Sequence, residues 1–471
     1  MNKTNLIYGV TDKVPFWKNL LFAFQQFLAI IAATILVPVL VNGISGTNYL
    51  NQPSALIGAG AGTLIYLLFT RFKSPVFLGS SFAFINPLVS ATMFGYFGIF
   101  LGAVVAGLVY VVIAIVIKFV GAGWITKLMP PVIIGPTVAL IGLSLAGSAM
   151  NNVMNTASSA DNYNLLSILV GVVTFFVTIL ASVKGGKQLK LFPFVVGVLG
   201  GYVFACLITG IGMLTSNPNM VLVSFEPFAK IADFSNWIPN LTFVGLIKEG
   251  TTNMTLEAII SITLTFAPIA LVVFAEHVAD HKNISSIIGS DLLEDPGLHR
   301  TLLGDGVGSM VGSFFGGCPN TTYGESVGCV AITGNASVRT IFTAAIICFA
   351  VAFFYPALAL VESISSCSAI VGGICIALYG FIAVSGLRMF KHVDLDNSKN
   401  LFIVAAILIP GIGGLTLNLG PYISITSIAC GLILGILVNL VLKPGKAEVK
   451  KEVTYEKETE NNMFGTQVKE D

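Results

Sequence analysis

Apolar runs near or beyond 18 residues recur along almost the whole chain, broken by short clusters of charged, Gly or Pro residues. About 20 apolar residues in a helix cross the roughly 30 Å hydrocarbon layer of a bilayer. Segments of this kind begin near Trp17, Ala55, Ser74, Gly98, Leu128, Leu165 and Leu191. A second set begins near Glu257, Thr301, Cys318, Thr340, Ser365, Leu401 and Pro421, beyond a polar stretch from Thr215 to Asn253. The pattern predicts an all-α polytopic membrane protein of about 14 transmembrane segments. Seven spans per half place the halves in opposite orientation, as in inverted-repeat transporters. Gly135, Ala139, Leu140 and Gly142 recur at a constant offset as Gly373, Ala377, Leu378 and Gly380, a faint echo of such a repeat.

Two spans, the third and the tenth, read as broken helices. In Ser74-Pro-Val-Phe-Leu-Gly-Ser-Ser-Phe-Ala-Phe-Ile-Asn-Pro87, an extended run precedes Gly79-Ser80-Ser81, where a helix can start. In Gly316-Gly-Cys-Pro-Asn-Thr-Thr-Tyr-Gly-Glu325, a turn-rich run opens into Ser326–Thr333. Helices broken at mid-membrane free N–H and C=O groups for a ligand, and these two occupy equivalent positions in the two halves.

Composition sharpens the class. Of 471 residues, 55% are hydrophobic and 10% charged, against roughly 25% charged in a soluble domain. A soluble enzyme, a nucleic-acid binder and a secreted disulfide scaffold are excluded, as is a single-pass receptor. The seven Cys are scattered, form no C-x-x-C pair, and read as packing residues. The apolar run after Lys3, Lys13 and Lys18 continues through Val41 without a small-residue cleavage site, which reads as a first span rather than a signal peptide. Thirteen of the 47 charged residues lie between Lys443 and Asp471, a solvated tail expected to be disordered. With a cytoplasmic N-terminus and fourteen crossings, Arg71, Lys73, Lys118, Lys127, Lys184, Lys187, Lys190, Lys282, Arg300, Arg339, Arg388, Lys391 and Lys399 fall inside, with both termini. Of the 24 Lys and Arg, just Lys230 and Lys248 fall outside, so the positive-inside rule makes both termini cytoplasmic.

An ionised group at the bilayer centre costs roughly 2.5–3.5 kcal/mol, so it needs a partner, a wet cavity or a proton. Glu325 follows the second break. Glu276 ends the apolar run Ala258–Ala275 and opens Glu-His-Val-Ala-Asp-His281. On a helix Glu276 and Asp280 share one face, as do His277 and His281. Two carboxylates that close in low dielectric are suited to hold and release a proton, which makes them a proton-coupling element. His277-Val-Ala-Asp-His281 also looks like an inverted zinc-protease motif with Asp for Glu. His299 and His392 fall in polar loops, however, and no third ligand is suitably spaced, so no metal site is expected. His281, followed by Lys282, reads as a hydrated cytoplasmic helix end. Asp305 reads as a carboxylate at the cytoplasmic start of a span, favourable at a helix N-terminus. Glu257 and Glu362 fall near outer ends, and Asp291, Glu294 and Asp295 in an inner loop. Phe82, beside the first break, is a candidate stacking partner for a flat ligand.

At these residues the chain resembles the nucleobase–ascorbate transporters, or nucleobase/cation symporters. Pro-Asn-Thr-Thr-Tyr-Gly-Glu325, with Gly328 and Thr333, is similar to their signature. Ala-Glu276-His-Val, Asp295-Pro-Gly-Leu-His-Arg300, Leu78-Gly-Ser-Ser-Phe82-Ala-Phe and Met129-Pro-Pro-Val-Ile-Ile-Gly-Pro136 match other family segments in order. The resemblance runs from about Gln25 to Leu442, and Tyr-Gly-Glu looks most like the bacterial uracil permease branch. It implies a core domain (spans 1–4 and 8–11, about 17–120 and 256–362) and a gate domain (spans 5–7 and 12–14, about 125–214 and 365–442). These lie between a cytoplasmic N-terminus, 1–16, and the tail, 443–471. It also implies a plasma-membrane homodimer that imports uracil with protons by an elevator-like motion, without a cofactor or enzymatic activity. By matching motif, Glu276 and Glu325 would accept the ring N–H groups of uracil, backbone N–H groups at Phe82 and Gly324 would serve its carbonyls, and Tyr323 and Ala33 would line the site. Asp280 with Glu276 would couple protons. The chain departs from the family at Gln25-Gln26, where a Gln-His pair is usual, at Ser326 for Asn, and at Gly334 for Arg or Lys. Asp280 stands where uracil permeases can carry His and purine carriers more often carry Asp, so a xanthine or uric acid symporter is the alternative.

Overall fold

A computed structural model of the chain describes residues 6–121, 124, 128–155, 163–186, 189–250, 255–389, 393–418 and 424–442. Lys3, Lys127, Lys187, Asn253, Lys391, His392, Pro421 and the tail 443–471 lie outside the described residues. The first half contains α1 (Phe16–Ser45), α2 (Gln52–Phe69), β1 (Leu78–Ser80), α3 (Ile85–Ala91), α4 (Gly95–Val120), α5 (Pro131–Ser144), α6 (Leu165–Val183) and α7 (Pro193–Leu214). The second contains α8 (Leu256–Ile288), α9 (Leu298–Gly316), β2 (Asn320–Thr322), α10 (Gly324–Thr333), α11 (Val338–Ala352), α12 (Tyr355–Ser365), α13 (Ser368–Met389), α14 (Ser398–Ile412) and α15 (Ser427–Val441). Among the described residues, 8 helices are long and apolar enough to cross a membrane, or up to 9 if α11 and α12, bent by 80°, form one span. The chain is thus a mostly helical polytopic membrane protein.

Local sequence explains the helix boundaries. Asn51 and Thr255 cap α2 and α8 by accepting N–H groups of the first turn. Gly46, Gly289, Gly317 and Gly334 end α1, α8, α9 and α10 in the left-handed conformation. Helix contact in a bilayer depends on close approach, which small residues allow. Along α2 and α9 this reaches backbone contact: a Cβ on Gly62 would lie 2.7 Å from the carbonyl oxygen of Gly308, and one on Gly308 would lie 2.8 Å from that of Gly62. Asn320 just beyond α9 also donates to Gly58 O at 2.9 Å, so this seam fixes where β2 begins.

Packing is most extensive inside two groups. In one, α2 lies on α9 and α11, α4 on α8 and α9, α1 on α11, and β1 on β2. In the other, α5 lies on α13 and α14, α6 on α7 and α13, and α14 on α15. Between the groups, α8 touches α5 and α15, and α1 touches α7. The N-terminal segment is strapped to the first group. Ile7 donates to Gly334 O at 2.7 Å, Ala336 to Tyr8 O at 2.9 Å and Val338 to Val10 O at 3.0 Å, which pins the chain leaving α10.

Candidate functional site

Extended backbone does not survive in lipid unless its polar groups are paired, and β1 and β2 pair with each other. Leu78, Gly79 and Ser80 stand opposite Thr322, Thr321 and Asn320 in antiparallel register. Ser81 N–H to Pro319 O (3.0 Å) and Tyr323 N–H to Phe77 O (3.2 Å) close the two ends. A helix starts directly after each strand: a 3-10 turn at Phe82–Phe84 leads into α3, and α10 opens at Gly324. The first N–H groups of a helix have no partner within it, and its N-terminus carries partial positive charge. Because the strands are antiparallel, the two helix starts lie beyond opposite ends of the ladder.

Glu325 sits in the first turn of α10, and α8 brings Glu276 and Asp280 to it. All three acids are half-buried and Gly324 is exposed, whereas Phe82, Tyr323 and Ala33 are buried. The carboxylates therefore border an accessible recess, which relieves the cost of placing charge among apolar helices. Asp280 Oδ2 accepts the Thr322 hydroxyl at 2.7 Å, and a Cβ on Gly324 would lie 3.8 Å from Asp280 Oδ1. The Tyr323 hydroxyl donates to Ser80 O at 2.8 Å and lies 3.5 Å from Thr34 Oγ1, next to Ala33 on α1. Its ring crosses Gly79 so closely that a Cβ there would collide with it. Gly79→Ala is therefore expected to cost about 1–3 kcal/mol of stability by overpacking and to weaken ligand binding as Tyr323 moves. Thermal unfolding and ligand titration of the purified variant check both.

Two departures from the family motif bond to each other. Gln26 Nε2 donates to Ser326 Oγ at 2.7 Å and to Ser326 O at 3.2 Å, and Phe77 N–H donates to the same hydroxyl at 3.1 Å. Those bonds tie α1, the approach to β1 and the start of α10 together. Sequence reasoning named Gln26 and Ser326 without seeing the pair, which spans 300 positions. It missed Tyr379 altogether. From α13 this buried ring meets Phe82 edge-on at 6.1 Å, so the second packing group reaches the site.

Three sequence expectations are corrected. His281 is not a hydrated helix end: it is fully buried, because α8 runs on to Ile288 with His277, His281 and Ile284 on its covered face and Lys282 on the exposed one. Asp305 is not at a helix start. It lies within α9, fully buried, with Oδ2 2.6 Å from His277 Nδ1. His299, expected in a loop, is in the first turn of α9. Nor do His277 and His281 converge on a metal position. Their rings stack at 4.0 Å, His277 faces Asp305 and Thr301, and His281 faces Tyr66 and the His277 carbonyl.

This arrangement has the fold of membrane transporters. It is similar to the transmembrane domain of a cyanobacterium bicarbonate transporter, BicA (TM-score 0.60, 14% identity, 92% of this chain and 100% of that chain). It is also similar to the murine Solute Carrier 26 family member A9 anion transporter in the inward-facing state (TM-score 0.59, 12% identity, 92% of this chain and 69% of that chain). Residues 17–420 match the Permease family, and the chain belongs to that nucleobase–ascorbate transporter family. Relatives include the uracil permeases of Bacillus caldolyticus (36% identity, 98% of this chain and 100% of the relative) and Bacillus subtilis (36%, 95% and 98%). A third is the uracil permease of Escherichia coli K12 (33%, 93% and 95%).

Proposed function

We propose that this protein is a secondary active transporter that takes up uracil with protons across the plasma membrane. The observation that carries the reading is the paired β1–β2 ladder, with a helix N-terminus at each end and three carboxylates on the recess between them. Uracil is a flat ring with alternating N–H donors and carbonyl acceptors. Glu276 and Glu325 accept its N–H groups, and backbone N–H groups at Phe82 and Gly324 donate to its carbonyls. Phe82 packs against the ring face, Tyr323 holds β1 against the start of α10, and Ala33 backs the pocket from α1. Asp280, with Glu276, carries the proton. The uracil permeases among its relatives support this cargo. No conversion of the cargo is involved.

Further architecture belongs to the same proposal. Fourteen spans form a 7+7 inverted repeat, with β1–α3 and β2–α10 as the interrupted third and tenth spans. The packing supports this, because it survives exchange of the halves. Exchanging them turns α1–α11 into α8–α4, α2–α11 into α9–α4, α6–α7 into α14–α15 and α6–α13 into α14–α5, while α2–α9, β1–β2 and α5–α13 map onto themselves. The first packing group is the core (17–120 and 256–362) and the second the gate (125–214 and 365–442), with α5 and α13 at the pseudo-two-fold. The core moves against the gate in an elevator motion, within a homodimer whose termini face the cytoplasm.

Competition tests the cargo. In proteoliposomes with an inward proton gradient, excess unlabelled uracil should abolish uptake of labelled uracil, and xanthine or uric acid should leave it. Strong block by xanthine with none by uracil would transfer the reading to a purine symporter. Uptake indifferent to a collapsed proton gradient would remove the coupling.

A further inference from the structure

Behind the substrate-facing acids, on the neighbouring face of α8, lies a second chain of ionisable groups that the transport reading above leaves unused. Tyr66, Ser74, His277, His281, Thr301 and Asp305 are all fully buried. The Thr301 hydroxyl gives its hydrogen to Leu298 O at 3.0 Å, so it accepts from His277 Nε2, also at 3.0 Å. His277 Nδ1 then shares one hydrogen with Asp305 Oδ2 across 2.6 Å. Written as imidazolium and carboxylate or as imidazole and carboxylic acid, the pair holds that one proton and is neutral. His281 Nδ1 faces the His277 carbonyl at 2.8 Å, and a carbonyl can only accept, so Nδ1 carries a hydrogen. Its Nε2 is 2.6 Å from the Tyr66 hydroxyl, which is 2.6 Å from Ser74 Oγ.

In this structure the Tyr66 hydroxyl donates to Ser74 Oγ, the direction of the loaded chain, and rotation of the two hydroxyls reverses both links. With neutral His281, Ser74 donates to Tyr66 and Tyr66 to Nε2. With cationic His281, Nε2 donates to Tyr66 and Tyr66 to Ser74. The residue before Ser74 is Lys73, whose side chain is at the surface, paired with Asp295 at 2.7 Å. The chain therefore leads from the α2–β1 turn to within one residue of Asp280.

We propose, resting on the proton-symport reading, that His281 is a second proton-binding group of the transporter, loaded and emptied through Tyr66 and Ser74. Loading takes a proton onto the Ser74 oxygen. Ser74 passes its own hydrogen to Tyr66, Tyr66 passes its own to His281 Nε2, and imidazolium forms with both hydroxyls restored. Emptying reverses the order. Capacity is a single proton, because the His277 ring stacked at 4.0 Å and 27° cannot bear a like charge at the same time. The groups facing the chain set its balance: Glu276 and Asp280 on the same helix, Asp305 on α9, Glu325 on α10, Tyr66 on α2 and Tyr110 on α4, whose ring lies 6.3 Å from that of His277.

The test compares two uracil fluxes in proteoliposomes holding the full chain. Counterflow at equal pH requires exchange alone, and uptake down an imposed proton gradient requires net proton movement. His281→Gln and Tyr66→Phe should each leave counterflow within about twofold of wild type and lower gradient-driven uptake about tenfold, with the pH profile of driven uptake displaced. Tyr66→Phe removes one oxygen and keeps the buried ring, which guards against a variant that fails to fold. Unchanged driven uptake in both variants would overturn the proposal, and so would equal loss of both fluxes, the mark of a structural role. A wild type that ignores the gradient would instead overturn proton symport itself, and this inference with it.

Discussion

Glu325→Gln is expected to weaken uracil binding by about 100-fold or more. The carboxylate sits in the first turn of α10 and borders the recess half-buried, so a ring N–H would meet a charged acceptor. Hydrogen bonds to charged groups contribute about 1.5–3 kcal/mol, and a buried donor left facing another donor adds about 1–3 kcal/mol of penalty. Gln keeps the shape, loses the charge, and presents an NH2 that can face the ring N–H. Together these losses come to about 2.5–6 kcal/mol, which starts near the roughly 2.8 kcal/mol that two decades of affinity require. Calorimetric titration of purified variant with uracil gives the number, and a matched thermal unfolding curve shows that the fold is intact. Unchanged affinity would remove Glu325 from the site.

Much of this was legible in the sequence, and the boundary has a physical basis. Periodic apolar runs report helices because a lipid-facing helix must be apolar on every exposed turn, so the expected span starts fall close to the observed elements. The extended run before Gly79 and the turn-rich Pro-Asn-Thr-Thr322 announced backbone that cannot stay helical, and β2 lies within the latter. β1 takes Leu78–Ser80, so the helix expected to start at Gly79-Ser80-Ser81 begins at Phe82 instead. The sequence could not show that the two runs pair with each other, because β1 and β2 are more than two hundred residues apart. The same limit hid the Gln26–Ser326 bond and the Asp305–His277 pair. His281 was misjudged for a different reason. Polarity marks a helix end when water surrounds it, but here α2 and α9 cover one face of α8 while Lys282 emerges on the other.

Those long-range pairings change how the costly charges are understood. Glu276, Asp280 and Glu325 avoid the full price of an apolar membrane interior because they border an accessible recess. Asp305 and the two histidines do so by sharing hydrogens within a buried cluster. The first group can answer to a ligand that enters the recess. The second group can answer to it only through α8, which carries members of both.

Asp280 stands where the two meet, and Asp280→Asn is expected to separate binding from coupling. Asn keeps an oxygen that can accept the Thr322 hydroxyl, now held at 2.7 Å by Asp280 Oδ2, so β2 and the start of α10 stay in register. Uracil affinity should therefore remain within about threefold of wild type, and counterflow at equal pH should persist. An amide cannot take up or release a proton near neutral pH, so uptake driven by a proton gradient should fall at least about tenfold, to the level seen without a gradient. Normal proton-driven accumulation in this variant would refute the role given to Asp280. Loss of binding together with transport would mean that the carboxylate matters for holding Thr322, and the proton site would then have to be sought at Glu276 or along the His281 chain. Removing just the hydroxyl in Thr322→Val supplies the reference, because losing that bond lowers driven uptake and counterflow alike under either role. If Asp280 acts through its proton, Asp280→Asn alone lowers the ratio of driven uptake to counterflow, whereas a purely structural Asp280 predicts that Asp280→Asn keeps that ratio, as Thr322→Val does.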